Sequence, residues 1–124
     1  MKVSVSSNKA PGALGPYSQA IVVNGMVYTS GQLGMNAEGI FQGETAAEQA
    51  EQAIQNLKAV LEEAGSSIDN VVKTTVFLAD INDFAAVNEV YGKHFTQPYP
   101  ARSAVEVANL PKGGRVEIEV IATL

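Results

Sequence analysis

Arg102 stands in the run Pro100-Ala101-Arg102-Ser103-Ala104-Val105-Glu106-Val107, among side chains so small that nothing there needs a guanidinium for packing. Its planar fork of five donors suits a carboxylate, which it can hold by two parallel charge-assisted hydrogen bonds. Read as a strand, the run sends Arg102, Ala104, Glu106 and Ala108 to one face and Ser103, Val105 and Val107 to the other. The plainer alternative is a pair within the chain, with Glu106 or Glu117 as the partner. Glu117 lies in Val116-Glu117-Ile118-Glu119, where an ion pair with Arg102 or Arg115 across neighbouring strands would also account for it. Tyr17 and Ser30 complete the set of groups that could do chemistry, although each also reads as an ordinary strand residue on a solvated face.

Composition narrows the choices. The 124 residues contain no cysteine, which excludes disulfides, thiol nucleophiles and sulfur-ligated metals. With one histidine, His94, a zinc site would have to be completed by carboxylates or water, a poor set, so no metal is expected. His94 itself reads as a helix-end residue. The net charge of -5 and a pI near 4.7 repel phosphates, and the eight Lys and Arg are scattered, so nucleic acid is not an expected partner. The first residues, Met1-Lys2-Val3-Ser4-Val5-Ser6-Ser7, lack the apolar run of a signal peptide, and no stretch approaches a membrane span. A cytoplasmic protein folded as one domain over residues 1–124 is the expectation, since a chain of this size can bury roughly two-thirds of its unfolded surface.

The elements that must position these groups are legible from pattern. Asn24-Gly25 between Ile21-Val22-Val23 and Met26-Val27-Tyr28-Thr29-Ser30 predicts a two-residue hairpin, because both turn residues tolerate positive φ. Its register follows: Val23 opposite Met26, Ile21 opposite Tyr28, Gln19 opposite Ser30 and, if the ladder is unbroken, Tyr17 opposite Gln32. Tyr17, Gln19, Ser30 and Gln32 would then share a polar face, with Ser18, Ala20, Val22, Val27, Thr29 and Gly31 on the packing face. Thr45-Ala46-Ala47-Glu48 matches a capping box, so a helix begins there, carries Ala50, Ala53, Ile54, Leu57, Val60, Leu61 and Ala64 on one stripe, and stops at Gly65. Val71 to Leu78, rich in β-branched residues, predicts a strand. A second helix is expected from about Asn82 to Phe95, with Phe84, Val87, Tyr91 and Phe95 on its apolar stripe. Asn88 falls within that stripe, either fixing nearby backbone or marking the edge of a cleft. The last strand runs from Arg115 to Thr123. Together these make an α+β fold, a mixed sheet of five to six strands with two helices on one face. The other face is expected to carry Tyr17, Ser30, Arg102 and Glu117.

Five blocks in this order resemble the RidA (YjgF) family of reactive intermediate deaminases: Gly15-Pro16-Tyr17-Ser18-Gln19-Ala20, Thr29-Ser30-Gly31-Gln32, Val72 to Phe77, Phe84-Ala85-Ala86-Val87-Asn88, and Pro100-Ala101-Arg102-Ser103 through Glu117-Ile118-Glu119. The resemblance covers nearly the whole chain. It implies a chorismate-mutase-like fold, a homotrimer with sites between subunits, no cofactor, and hydrolysis of short 2-imino acids and enamines such as 2-aminoacrylate and 2-iminobutanoate to 2-keto acids and ammonia. By the same resemblance Arg102 holds the substrate carboxylate, Glu117 orients or activates water, and Tyr17, Ser30, Gly31 and Asn88 shape the pocket. The segment around Ala104 borders the reacting carbon, at a position where many relatives carry cysteine. The competing reading is a trimeric binder of small 2-keto acids or other carboxylates that regulates without turnover.

Overall fold

A computed structural model describes residues 1–124. The hairpin forms as its turn dictates: Asn24 and Gly25 have φ of 51° and 73°, and β2 (Ala20–Val23) pairs with β3 (Met26–Thr29) with Val23 opposite Met26 and Ile21 opposite Tyr28. A short β1 (Val3–Val5), not anticipated from pattern, adds an edge strand against β2. The long β7 (Val116–Thr123) sits at the centre, antiparallel to both β3 and β5 (Val71–Leu78). The far edge is β6 (Ala101–Glu106), which runs parallel to β5, so a crossover is required, and α2 (Phe84–His94) supplies it. A two-residue strand, β4 (Gln32–Leu33), also pairs with β7 and brings the sheet to seven strands, six of them in the order β1-β2-β3-β7-β5-β6.

Both helices lie on one face, as the amphipathic pattern requires. In α1 (Ala46–Glu63) the Thr45 hydroxyl accepts from the Glu48 amide while the Glu48 carboxylate returns to Thr45, which completes the capping box. Ala50, Ala53, Ile54, Leu57, Val60 and Leu61 are fully buried against Val76, Leu78 and the inward row Val116, Ile118, Val120, Ala122 of β7. Truncating Leu57 to alanine in such packing would cost about 2–5 kcal/mol. The end of α2 is pinned to α1 through His94, whose Nε2 lies 2.7 Å from Glu51 and whose Nδ1 lies 3.0 Å from the Lys58 ammonium. No helix is long and apolar enough to cross a membrane.

The opposite face has no helix on it. The strand registers place Ile21, Tyr28, Phe77, Val105 and Ile121 there, together with Lys73, Thr75, Glu117 and Glu119.

Candidate active site

The hairpin ladder ends with Ala20 opposite Thr29, short of Tyr17 and Gln32, and the β7 pairing beside it also breaks. Tyr28 pairs with Ile121 but Gln32 pairs with Ile118, so four steps along the hairpin side oppose three along β7, a bulge of one residue. At the break the Thr29 hydroxyl replaces backbone, accepting from the Val120 amide at 2.9 Å and donating to its carbonyl. The bulge turns Ser30 and Gly31 toward Glu117. A Cβ built on Gly31 would lie 2.7 Å from the Glu117 carboxyl carbon, so only glycine lets the carboxyl rest against this backbone. Ser30 is oriented by donating its hydroxyl to the Ser18 carbonyl at 2.6 Å, which leaves its oxygen as an acceptor. Tyr17, Ser30, Gly31, Gln32 and Glu117 line one cavity of about 600 Å³.

Gln19 is not part of it. The expected polar face gives way because the Gln19 side chain turns inward, accepting from the Ser7 amide at 2.6 Å and donating to the Ser7 and Pro11 carbonyls. It ties down the segment that walls the cavity at Pro11 and Leu14. Two buried amides of α1 do the same from behind: Asn56 donates to the carbonyls of Leu33 and Met35, and Gln49 bridges Gly43 and the Arg115 amide. Burial raises the pKa of the Glu117 carboxyl, and the charge of Glu119, two residues along on the same face, adds to the effect. A raised pKa makes the carboxyl a better proton acceptor than an ordinary glutamate while leaving it able to give the proton back.

Pattern reading missed Lys112, the only cation on this cavity's wall. It adopts φ of 57° between Pro111 and Gly113, a left-handed conformation rare outside glycine and asparagine. The Pro-Lys-Gly-Gly turn was the available signal.

Arg102 lies elsewhere. In the parallel ladder it is opposite Thr74, so it shares the face on which Thr74 meets α2, whereas Glu117 is opposite Phe77 on the uncovered face. The two residues therefore cannot stand on one side of the sheet, which corrects the expectation from pattern. Nor are they paired. Nη1 of Arg102 donates to Asn88 Oδ1 at 2.7 Å, its Cζ lies 4.7 Å from the Tyr91 ring centroid and 5.2 Å from that of Phe84, and Glu106 instead accepts from the Ile81 amide. Asn88 is exposed rather than buried in the stripe, and its Oδ1 faces Arg102 on the edge strand. Asn88, Tyr91, Tyr99 and Arg102 line a second cavity, of about 430 Å³. Ala104 is half-buried beside Val76, its methyl packed against the core, and it lines neither of these two cavities. Thus Tyr17, Ser30, Gly31 and Glu117 are gathered at one place, and Asn88 and Arg102 at another.

Residues 7–124 match the family described as Endoribonuclease L-PSP. The chain belongs to this family, the RidA (YjgF) family. It is 53% identical over 119 residues to a human 2-iminobutanoate/2-iminopropanoate deaminase, covering 95% of this chain and 87% of that protein. Among solved structures, an L-PSP protein from Entamoeba histolytica aligns with a TM-score of 0.97 at 54% identity over 100% of both chains. TdcF of E. coli with bound serine aligns with a TM-score of 0.91 at 41% identity over 98% of both. At these similarities the RidA α+β fold, with its two helices on a mixed sheet, is shared.

Proposed function

We propose that this RidA-family chain is a cytoplasmic, cofactor-independent enzyme that hydrolyses short 2-imino acids and their enamine tautomers, such as 2-aminoacrylate and 2-iminobutanoate, to 2-keto acids and ammonia. It works as a homotrimer of single-domain subunits. The observation that carries the assembly is the separation of Arg102 from Glu117 onto opposite faces of one sheet. A second copy that brings its β6 edge to the Glu117 cavity of the first would set guanidinium and carboxyl on one ligand, and a head-to-tail contact of this kind closes into a ring when three successive rotations complete a turn. The uncovered face supports such a contact, since Tyr28 and Val105 are 45% and 44% exposed there.

In the composite site Arg102 holds the substrate carboxylate while Tyr17, Ser30, Gly31 and Asn88 bound the space around it, with the segment at Ala104 beside the reacting carbon. The imine carbon is already electrophilic, so the protein has little covalent work to do. Glu117 takes a proton from water as the water oxygen bonds to C2 of the N-protonated imine, giving a neutral carbinolamine. It then returns the proton to the amino nitrogen, the C–N bond breaks, the C2 hydroxyl loses its proton as the carbonyl forms, and ammonia leaves. The names of the curated relatives support this chemistry. Two measurements test the reading. Purified protein should accelerate loss of 2-aminoacrylate generated in a coupled assay, with Arg102→Ala raising KM at least tenfold, and sedimentation should give three subunits; no acceleration by the wild type ends it.

The serine bound to TdcF favours a second reading, a sensor that binds small amino or keto acids without turnover. A Glu117→Gln protein that binds such acids while the wild type shows no turnover would select it. The net charge of -5 disfavours the RNA substrate in the family's description.

A further inference from the structure

Arg102 is an exposed side chain on an edge strand, and such a side chain ordinarily samples many rotamers. Here one helix stripe meets it. Phe84, Asn88 and Tyr91 follow at four- and three-residue spacing on α2 and so share a face. Asn88 engages Nη1, and the two rings lie within cation-π reach of the guanidinium. The Tyr91 ring is itself held. Its hydroxyl is 2.8 Å from that of Thr74, which is fully buried, and it stacks on Phe95 with centroids 4.2 Å apart and planes at 26°. Thr74 is also the cross-strand neighbour of Arg102. One pair of strand residues therefore supplies both the guanidinium and the anchor of the ring beside it.

We propose that Phe84 and Tyr91, acting through their rings, are positioning residues that set the orientation in which Arg102 offers its free donors to the substrate carboxylate. The inference rests on the reading of Arg102 as the carboxylate holder. With Nη1 on Asn88 and the rings beside the guanidinium, the remaining N–H groups are left for a ligand in the cavity that Arg102 lines. A carboxylate is held alike in substrate and transition state, so loss of orientation raises KM and leaves kcat.

The test is steady-state kinetics on the assembled wild type and on Tyr91→Phe, Tyr91→Leu, Phe84→Leu and Arg102→Ala, with a melting temperature for each. Tyr91→Phe, which keeps the ring and its stack on Phe95, should stay within about twofold of the wild-type KM even though it melts lower. Tyr91→Leu should raise KM roughly five- to tenfold and Phe84→Leu about threefold, with kcat within about twofold throughout. A purely structural role would lower melting temperature in these variants without separating KM from kcat. If Arg102→Ala raises KM while Phe84→Leu and folded Tyr91→Leu keep the wild-type value, the positioning role is overturned and the function stands. Should Tyr91→Leu fail to fold, Phe84→Leu decides alone, since Phe84 is only partly buried. An unchanged KM in Arg102→Ala overturns the carboxylate-holding role itself.

Discussion

The Glu117 cavity and the Arg102 margin are made of different materials. Around Glu117 the walls are largely backbone: a one-residue bulge, a glycine in contact with the carboxyl, a left-handed lysine, and carbonyls held from behind by Asn56 and Gln49. Around Arg102 the walls are side chains from a helix stripe and an edge strand that face open space. Backbone walls cannot yield by rotamer change, so an atom added at Gly31 must push the Glu117 carboxyl aside. Side-chain walls keep their shape only through packing, as the Tyr91 ring does against Thr74 and Phe95.

The largest effect that would sharpen this contrast belongs to Glu117. If Glu117 carries the proton as proposed, Glu117→Gln, which keeps the shape, should lower kcat on the order of 10²–10⁴ with the fold retained, measured as turnover beside a circular dichroism melt. An unimpaired kcat would remove Glu117 from the chemistry. Gly31→Ala comes next. Its Cβ would fall 2.7 Å from the Glu117 carboxyl carbon, and displacing that group by even ~1 Å should lower kcat about 10²-fold. Wild-type turnover in this variant would show that the reaction does not depend on where the Glu117 carboxyl sits against Gly31.

Asn56→Ala tests the support behind the wall. Losing the donor to two buried carbonyls should cost about 1–3 kcal/mol in denaturant melts. The smallest effects are electrostatic, and Glu117 should titrate with the opposite sign to Glu51 on the helix-covered side of the sheet. Burial raises the folded-state pKa of Glu117 above its ordinary 4.5, so its contribution to stability is full below that pH and is lost as pH rises through the raised value. The melting temperature of Glu117→Gln relative to wild type should therefore climb from about pH 4 toward neutrality. Glu51 behaves oppositely: the hydrogen bond from His94, then that from Gln55, lowers its pKa below 4.5. Its contribution is present above that value and lost as pH falls through the lowered one, so Glu51→Gln should lower stability near neutrality but not in acid. Because the Glu51 side chain is 46% exposed, solvent screening keeps that effect below about 1 kcal/mol.

Local pattern sufficed for much of this molecule. The Asn24-Gly25 turn, the Thr45-Glu48 box and the stripe along α1 each encode their geometry within a few consecutive residues, and they stand where pattern puts them. The family blocks pointed to Arg102, Glu117, Tyr17, Ser30, Gly31 and Asn88 by residue type and order. What no local pattern contained was how the strands register against one another. Residue alternation predicts a shared face only while pairing is unbroken, and the bulge opposite β7 broke it at Ser30 and Gly31. Nor does alternation say which face of β6 meets α2, since that follows from its parallel register with β5. Sequence by itself therefore determined which groups are present and which elements carry them. Tertiary pairing alone decided that Arg102 and Glu117 lie on opposite sides of one sheet, because side-chain direction in a strand depends on long-range register and not on neighbours in the chain.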